Sequence, residues 1–124
     1  AHQYDKGLYE NNRRLRGIIS HILEDKCCNS NEIPMPDYAW MLDQADREYL
    51  FLLLLVLKNE ARGNPAGYKK NIREICNAPE VKELVQKTVV EIHEKSNLLL
   101  YLVLLHPNVF MIRVLRLAMI LYYR

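Results

Sequence analysis

Acid, base and sulfur side chains that could do chemistry gather early in the chain. His21 and Glu24 stand three residues apart, which on a helix puts an imidazole and a carboxylate on one turn. Such a pair supplies two ligands to a metal, fewer than a zinc centre takes. Cys27 and Cys28 are sequence neighbours whose side chains diverge, so a bridge between them would be strained. They could hold a soft metal ion or a palmitoyl chain only with a further ligand or signal that the sequence does not reveal. Basic residues cluster at Arg13, Arg14 and Arg16 and again at Lys69, Lys70 and Arg73. If the two helices that carry them lie side by side, the six make one patch for phosphates. There is no Gly-rich phosphate loop, no HExxH, no pair of Glu-x-x-His motifs and no CxxC, the patterns that carry most nucleotide, di-metal and redox chemistry. The expectation is a non-enzymatic chain with no metal and no cofactor.

One pattern touches a known family. Arg16-Gly17-Ile18-Ile19-Ser20-His21 resembles the Arg-x4-His motif of the HEPN helical ribonucleases. The resemblance covers six residues and implies that Arg16 contacts phosphate and that His21 acts as a general acid or base near neutral pH. Gly17 follows Arg16 where the family usually has a polar residue, and the motif sits on the first helix rather than a late one.

The elements that must position these residues read as helices throughout. Tyr4, Leu8, Leu15, Ile18, Ile19, Ile22 and Leu23 recur at spacings of three, four and seven, which predicts a helix from about Asp5 to Lys26 with that stripe inside. Gly7 and Gly17 weaken it by up to about 1 kcal/mol each. Asn29, Ser30, Asn31 and two prolines mark Cys27–Pro36 as a loop. A second helix starts at Pro36–Asp37. The stripe Tyr38, Met41, Leu42, Ala45, Tyr49, Leu52, Leu53, Val56 continues it without a phase break to Gly63, expected as its C-terminal cap. A short helix runs from Asn64–Pro65 to Cys76. Asn77-Ala78-Pro79-Glu80 has the spacing of a capping box. It opens an amphipathic helix with Val81, Leu84, Val85, Thr88, Val89 and Ile92 inside and Glu83/Lys87 and Glu91/Lys95 paired outside.

The C-terminal third is the greasiest part: Leu98–Leu105, then Val109–Tyr123 with Arg113 and Arg116 as the only polar residues. A bilayer span needs roughly 20 uninterrupted apolar residues, and His106-Pro107-Asn108 and the two arginines interrupt these. With no strand-like alternation, the expected fold is all-α, a compact bundle of five to six antiparallel helices, or alternatively a short HEAT- or armadillo-like stack of helical hairpins.

At 124 residues and a net charge of +2, residues 1–124 read as a single domain, and the charge alone does not call for nucleic acid. An opening on Ala1 and an end at Arg124 in mid-pattern lead us to expect a fragment of a longer protein. Three cysteines with no complete disulfide set and no signal-peptide pattern point to an intracellular setting, cytoplasmic or nuclear. The function expected is a protein-protein interaction or scaffold domain. Its hydrophobic helical surface would dimerise or bind a partner peptide. Trp40 and Phe51, which project opposite the Tyr38–Tyr49 stripe with Leu54 nearby, are candidate contacts. So are Arg113 and Arg116, on one strip of the last helix with Val109, Ile120 and Arg124. A nucleic-acid-binding module and a HEPN-like nuclease are the alternatives.

Overall fold

The computed structural model describes residues 4–88 and 95–122, and among them the chain is all-helical. Six α-helices follow one another: α1 (Leu8–Glu24), α2 (Met35–Gly63), α3 (Tyr68–Asn77), α4 (Pro79–Lys87), α5 (Lys95–Leu105) and α6 (Val109–Tyr122), with a π-helical turn at Asp25–Asn29 after α1. Val89, Ile92, the Glu91/Lys95 pair and Arg124 lie outside the described residues or pair with one that does.

The axis of the molecule is α2. Its 29 residues make it about 43 Å long, and it packs against each of the other five α-helices. Pro36 sits in its first turn, where no intrahelical donor is lost. The core follows from its apolar stripe: Leu50, Leu53, Val56, Leu57 and Ala61 are buried with Ile72 and Cys76 of α3, Val81 and Leu84 of α4, Leu100, Val103 and Leu104 of α5, and Ile112, Leu115 and Met119 of α6. Each large side chain so buried contributes roughly 1.5–3 kcal/mol. Pro107 falls between α5 and α6. Beside it, Asn108 caps α6: its side-chain oxygen accepts from the Met111 amide at 2.9 Å, satisfying one of the donors that a helix start leaves open.

Four local expectations change. The α1 stripe is inside only in part: none of its residues is buried, Leu15, Ile18, Ile19 and Ile22 are exposed, and of the rest Leu8 packs half covered against the core. Instead Tyr9, Asn12, Arg16, Ser20 and Leu23 are the half-covered row, because the ion pairing of Arg16 to α2 turns that side inward. The loop after α1 is shorter than expected, since the π-helical turn continues the coil to Asn29. Gly63 does not cap α2 in a left-handed conformation, as no glycine has positive φ. A Cβ there would lie 2.6 Å from the Tyr4 Cβ, so glycine is needed for the close approach of the N-terminal segment. Nor does Asn77 form a capping box: Ala78 precedes α4 with no side-chain cap, and the Asn77 amide donates back to the Arg73 carbonyl at 2.9 Å.

No helix among the described residues is long and apolar enough to cross a membrane.

Candidate functional site

The row of α1 that turns inward borders a cleft of about 490 Å³ between α1, α2 and α4, lined by Arg13, Arg16, Ser20, Asp46, Tyr49, Glu80, Glu83 and Lys87 among others. Most of its charges are already matched. Arg16 donates to Asp46, whose second oxygen takes Lys87 at 3.3 Å. Arg13 pairs with Glu80 at 3.3 Å and Glu10 at 3.4 Å. Asp46 and Arg16 are largely covered, so each is the counter-ion that makes the other's burial tolerable. Tyr49 is 6% exposed, and its hydroxyl has no hydrogen-bond partner among the described residues. Burial, with smaller contributions from Tyr9 and Glu80, pushes this phenol up to about 12.

This arrangement bears on the candidate nuclease pair. Arg16 faces the cleft, whereas His21 is exposed and not among the residues lining it. Five residues of helix separate them by about 140° of rotation. The structure therefore does not bring Arg16 and His21 together within one chain.

Acidic side chains stand among the six basic residues. The start of α1 approaches α3 across a smaller cleft of about 210 Å³, lined by Lys6, Tyr9, Glu10, Glu60, Asn71, Glu74 and Ile75. Three glutamates thus occupy the seam where a shared phosphate surface was expected. Arg13 and Arg16 are engaged by carboxylates, and Lys69 lies 5.9 Å from the Tyr68 ring centroid. Arg14, Lys70 and Arg73 are exposed.

At the end of α2 the structure reveals a polar cluster that the sequence reading missed. Glu60 is buried and accepts from the Tyr4 hydroxyl at 2.7 Å, the Asn64 amide at 2.9 Å and the Asn71 amide at 3.2 Å. Asn59 closes a two-way link to the Asp5 backbone, accepting from its N–H at 3.0 Å and donating to its carbonyl at 2.7 Å. Burial and the bond to Glu60 raise the Tyr4 phenol above its ordinary value. The signal was legible in principle: Glu60 continues the buried row Leu53–Val56 at i+4, so a carboxylate there has to find donors.

The candidate contact residues divide. Trp40 is 64% exposed and Phe51 is exposed too. Leu54, at 2% exposed, is part of the hydrophobic core and cannot reach a partner. Arg113 is exposed. Arg116 is not on the same open strip: its guanidinium donates to the carbonyls of Ala61 and Arg62, the latter at 3.1 Å, and lies 5.4 Å from the Tyr68 ring centroid. It neutralises the negative end of α2 and stacks on an aromatic face.

What the sequence reading did not isolate is the breadth of apolar surface around Arg113. On α6 the outward side carries Val109, Phe110, Leu117, Ile120 and Leu121, with Phe110 73% and Leu117 58% exposed. On α5, which packs against α6, Leu98, Leu102 and Leu105 are exposed at helical spacing. Comparison with protein-family models, with curated proteins and with solved structures finds no significant match.

Proposed function

We propose that this chain is a non-enzymatic scaffold domain, a compact bundle of antiparallel helices, that pairs with a second copy of itself through the outer faces of α6 and α5. The observation that carries the reading is the composition of the α6 face, in which Arg113 is the one charge among Val109, Phe110, Leu117, Ile120 and Leu121. Apolar area of this extent is normally covered in use.

The spacing suits self-pairing. In an antiparallel contact centred near Leu115, Phe110 opposes Ile120 of the second copy and Arg113 opposes Leu117. The arginine stem then lies along a leucine while its guanidinium reaches water. A stable pair buries on the order of 1,600 Å² in total, more than one short helix face supplies, so the Leu98, Leu102 and Leu105 row belongs to the proposed surface. Trp40 and Phe51, exposed aromatics of the kind that dominate interface energetics, are further candidate contacts.

Light scattering tests this. The wild-type chain is expected as a dimer and Leu117→Glu as a folded monomer, while Ile18→Glu, on the exposed row of α1, stays dimeric. A monomeric wild type sinks the reading; a dimer broken by Ile18→Glu but not by Leu117→Glu moves the interface to α1. Trp40 is the only tryptophan, so its emission reports directly on coverage. A blue shift on dimerisation places it in the interface, and unchanged emission removes it.

A further inference from the structure

The two adjacent cysteines lacked a third ligand in the sequence, and the fold supplies one. The loop after the π-helical turn folds back tightly. The Lys26 carbonyl accepts from both the Glu32 and Ile33 amides, at 2.8 and 3.2 Å, the Lys26 ammonium pairs with the Glu32 carboxylate at 3.0 Å, and Asn31 takes a left-handed φ of 54°. This return brings Met35, at the start of α2, onto Cys27. The Cys27 thiol donates to the Met35 thioether across 3.2 Å, and the exposed Cys28 follows it in the chain.

We propose that Cys27, Cys28 and Met35 form a binding site for a soft monovalent metal ion, copper(I). Two thiols and a thioether are the ligand set that selects copper(I) over harder ions. No His, Asp or Glu joins them in a metal-holding group among the described residues, which disfavours zinc and the oxygen-seeking cations.

The spacing of Cys27 and Met35 is near what coordination needs. With metal–sulfur bonds of about 2.3 Å, three sulfurs in a plane around one ion stand about 4 Å apart, so the Cys27–Met35 gap has to widen by less than 1 Å. Met35 can make that move: its side chain has three rotatable bonds and is 65% exposed. Cys28 is exposed as well, so the ion enters from solvent and reaches the buried Cys27 last. Each thiol releases its proton to water as its sulfur takes the metal, the thioether gives a lone pair without a proton, and copper remains in the +1 state. The third thiol does not compete, because Cys76 is buried in the core.

The experiment is an anaerobic titration of the reduced chain into the copper(I)–bicinchoninate complex, read as loss of its colour. The wild-type chain is expected to withdraw one copper per chain. Met35→Leu is expected to weaken binding by at least roughly ten-fold, the lower end of what loss of even an outer-shell partner costs. Cys28→Ser is expected to abolish binding, with the helical circular-dichroism spectrum unchanged in both variants. Failure of the wild type to withdraw copper overturns the proposal, as does Met35→Leu binding as tightly as wild type. Zinc(II) held as tightly as copper(I) overturns the assignment to a soft ion.

Discussion

Arg113 and Arg116 are three residues apart on one helix and live in different environments. Arg116 closes the carbonyl end of α2 and covers Tyr68. Its replacement by Ala is expected to cost about 1.5–3 kcal/mol, the range for hydrogen bonds to a charged group. Arg113→Ala, at an exposed position, should stay within about 0.5 kcal/mol. Urea denaturation of the two variants at a concentration that holds their oligomeric state equal checks the contrast. Tyr49 gives a second residue-scale prediction. Its phenol, ordinarily at 10.0, is pushed up to about 12, and burial does the same to the Cys76 thiol from 9.0. Between about pH 9 and 12 the unfolded chain gives up protons that the folded chain keeps, so stability falls as pH rises through that window. Tyr49→Phe removes the phenol's share: denaturation midpoints above pH 10 should drop less steeply. At pH 7 stability should hold or rise by up to about 1 kcal/mol, since an unpartnered buried hydroxyl is costly. A clear loss at pH 7 would show that the hydroxyl has a partner. None of this was legible beforehand. Spacing assigned both arginines to one strip because a helical wheel places side chains by angle and knows nothing of the neighbouring helix end that captures one of them. The Cys27–Met35 contact was hidden for a related reason: it depends on how a loop closes, not on a period.

At the level of elements, the sequence showed most of the helices and few of their ends. The unbroken stripe from Tyr38 to Val56 announced α2, and Pro107 announced the division of α5 from α6, because core packing and proline sterics act on every residue of a segment. Ends depend on single contacts, and both expected caps failed: Asn77 bonds backward, and Gly63 serves the approach of Tyr4. The orientation of α1 was read wrongly as well. Its strongest apolar row is outermost, and a buried ion pair from Arg16 to Asp46 overrides periodicity. Two glycines turn this into a test. A Cβ at Gly17 meets nothing within 4 Å, so Gly17→Ala should stabilise α1 by up to about 1 kcal/mol. A Cβ at Gly63 collides with Tyr4, including its backbone at 3.0 Å, so Gly63→Ala should destabilise despite the same gain in helix propensity. Thermal midpoints of opposite sign relative to wild type are the expected outcome, and equal shifts would contradict the docking of Tyr4.

For the whole molecule, the proposed pairing through α6 makes stability a function of concentration. The wild-type melting temperature should climb as the protein is concentrated, while that of Leu117→Glu should not. A flat wild-type curve would argue that the α6 face stays open. The molecule's two ends of attachment differ in character: the C-terminal helices join the body mainly through hydrocarbon, with Arg116 as a polar tie, whereas the N-terminal segment joins through polar groups at Asn59, Glu60, Asn64 and Asn71. Hydrocarbon contacts loosen by degrees; a buried carboxylate held by neutral donors does not, because losing one donor leaves charge stranded in a dry site. The N-terminal segment, the last turn of α2 and the turn into α3 should therefore behave as one opening unit. The Asp5 amide rests on Asn59 and the Gly67 amide on Asn64, so hydrogen exchange at these two positions, far apart in sequence, becomes a single clock.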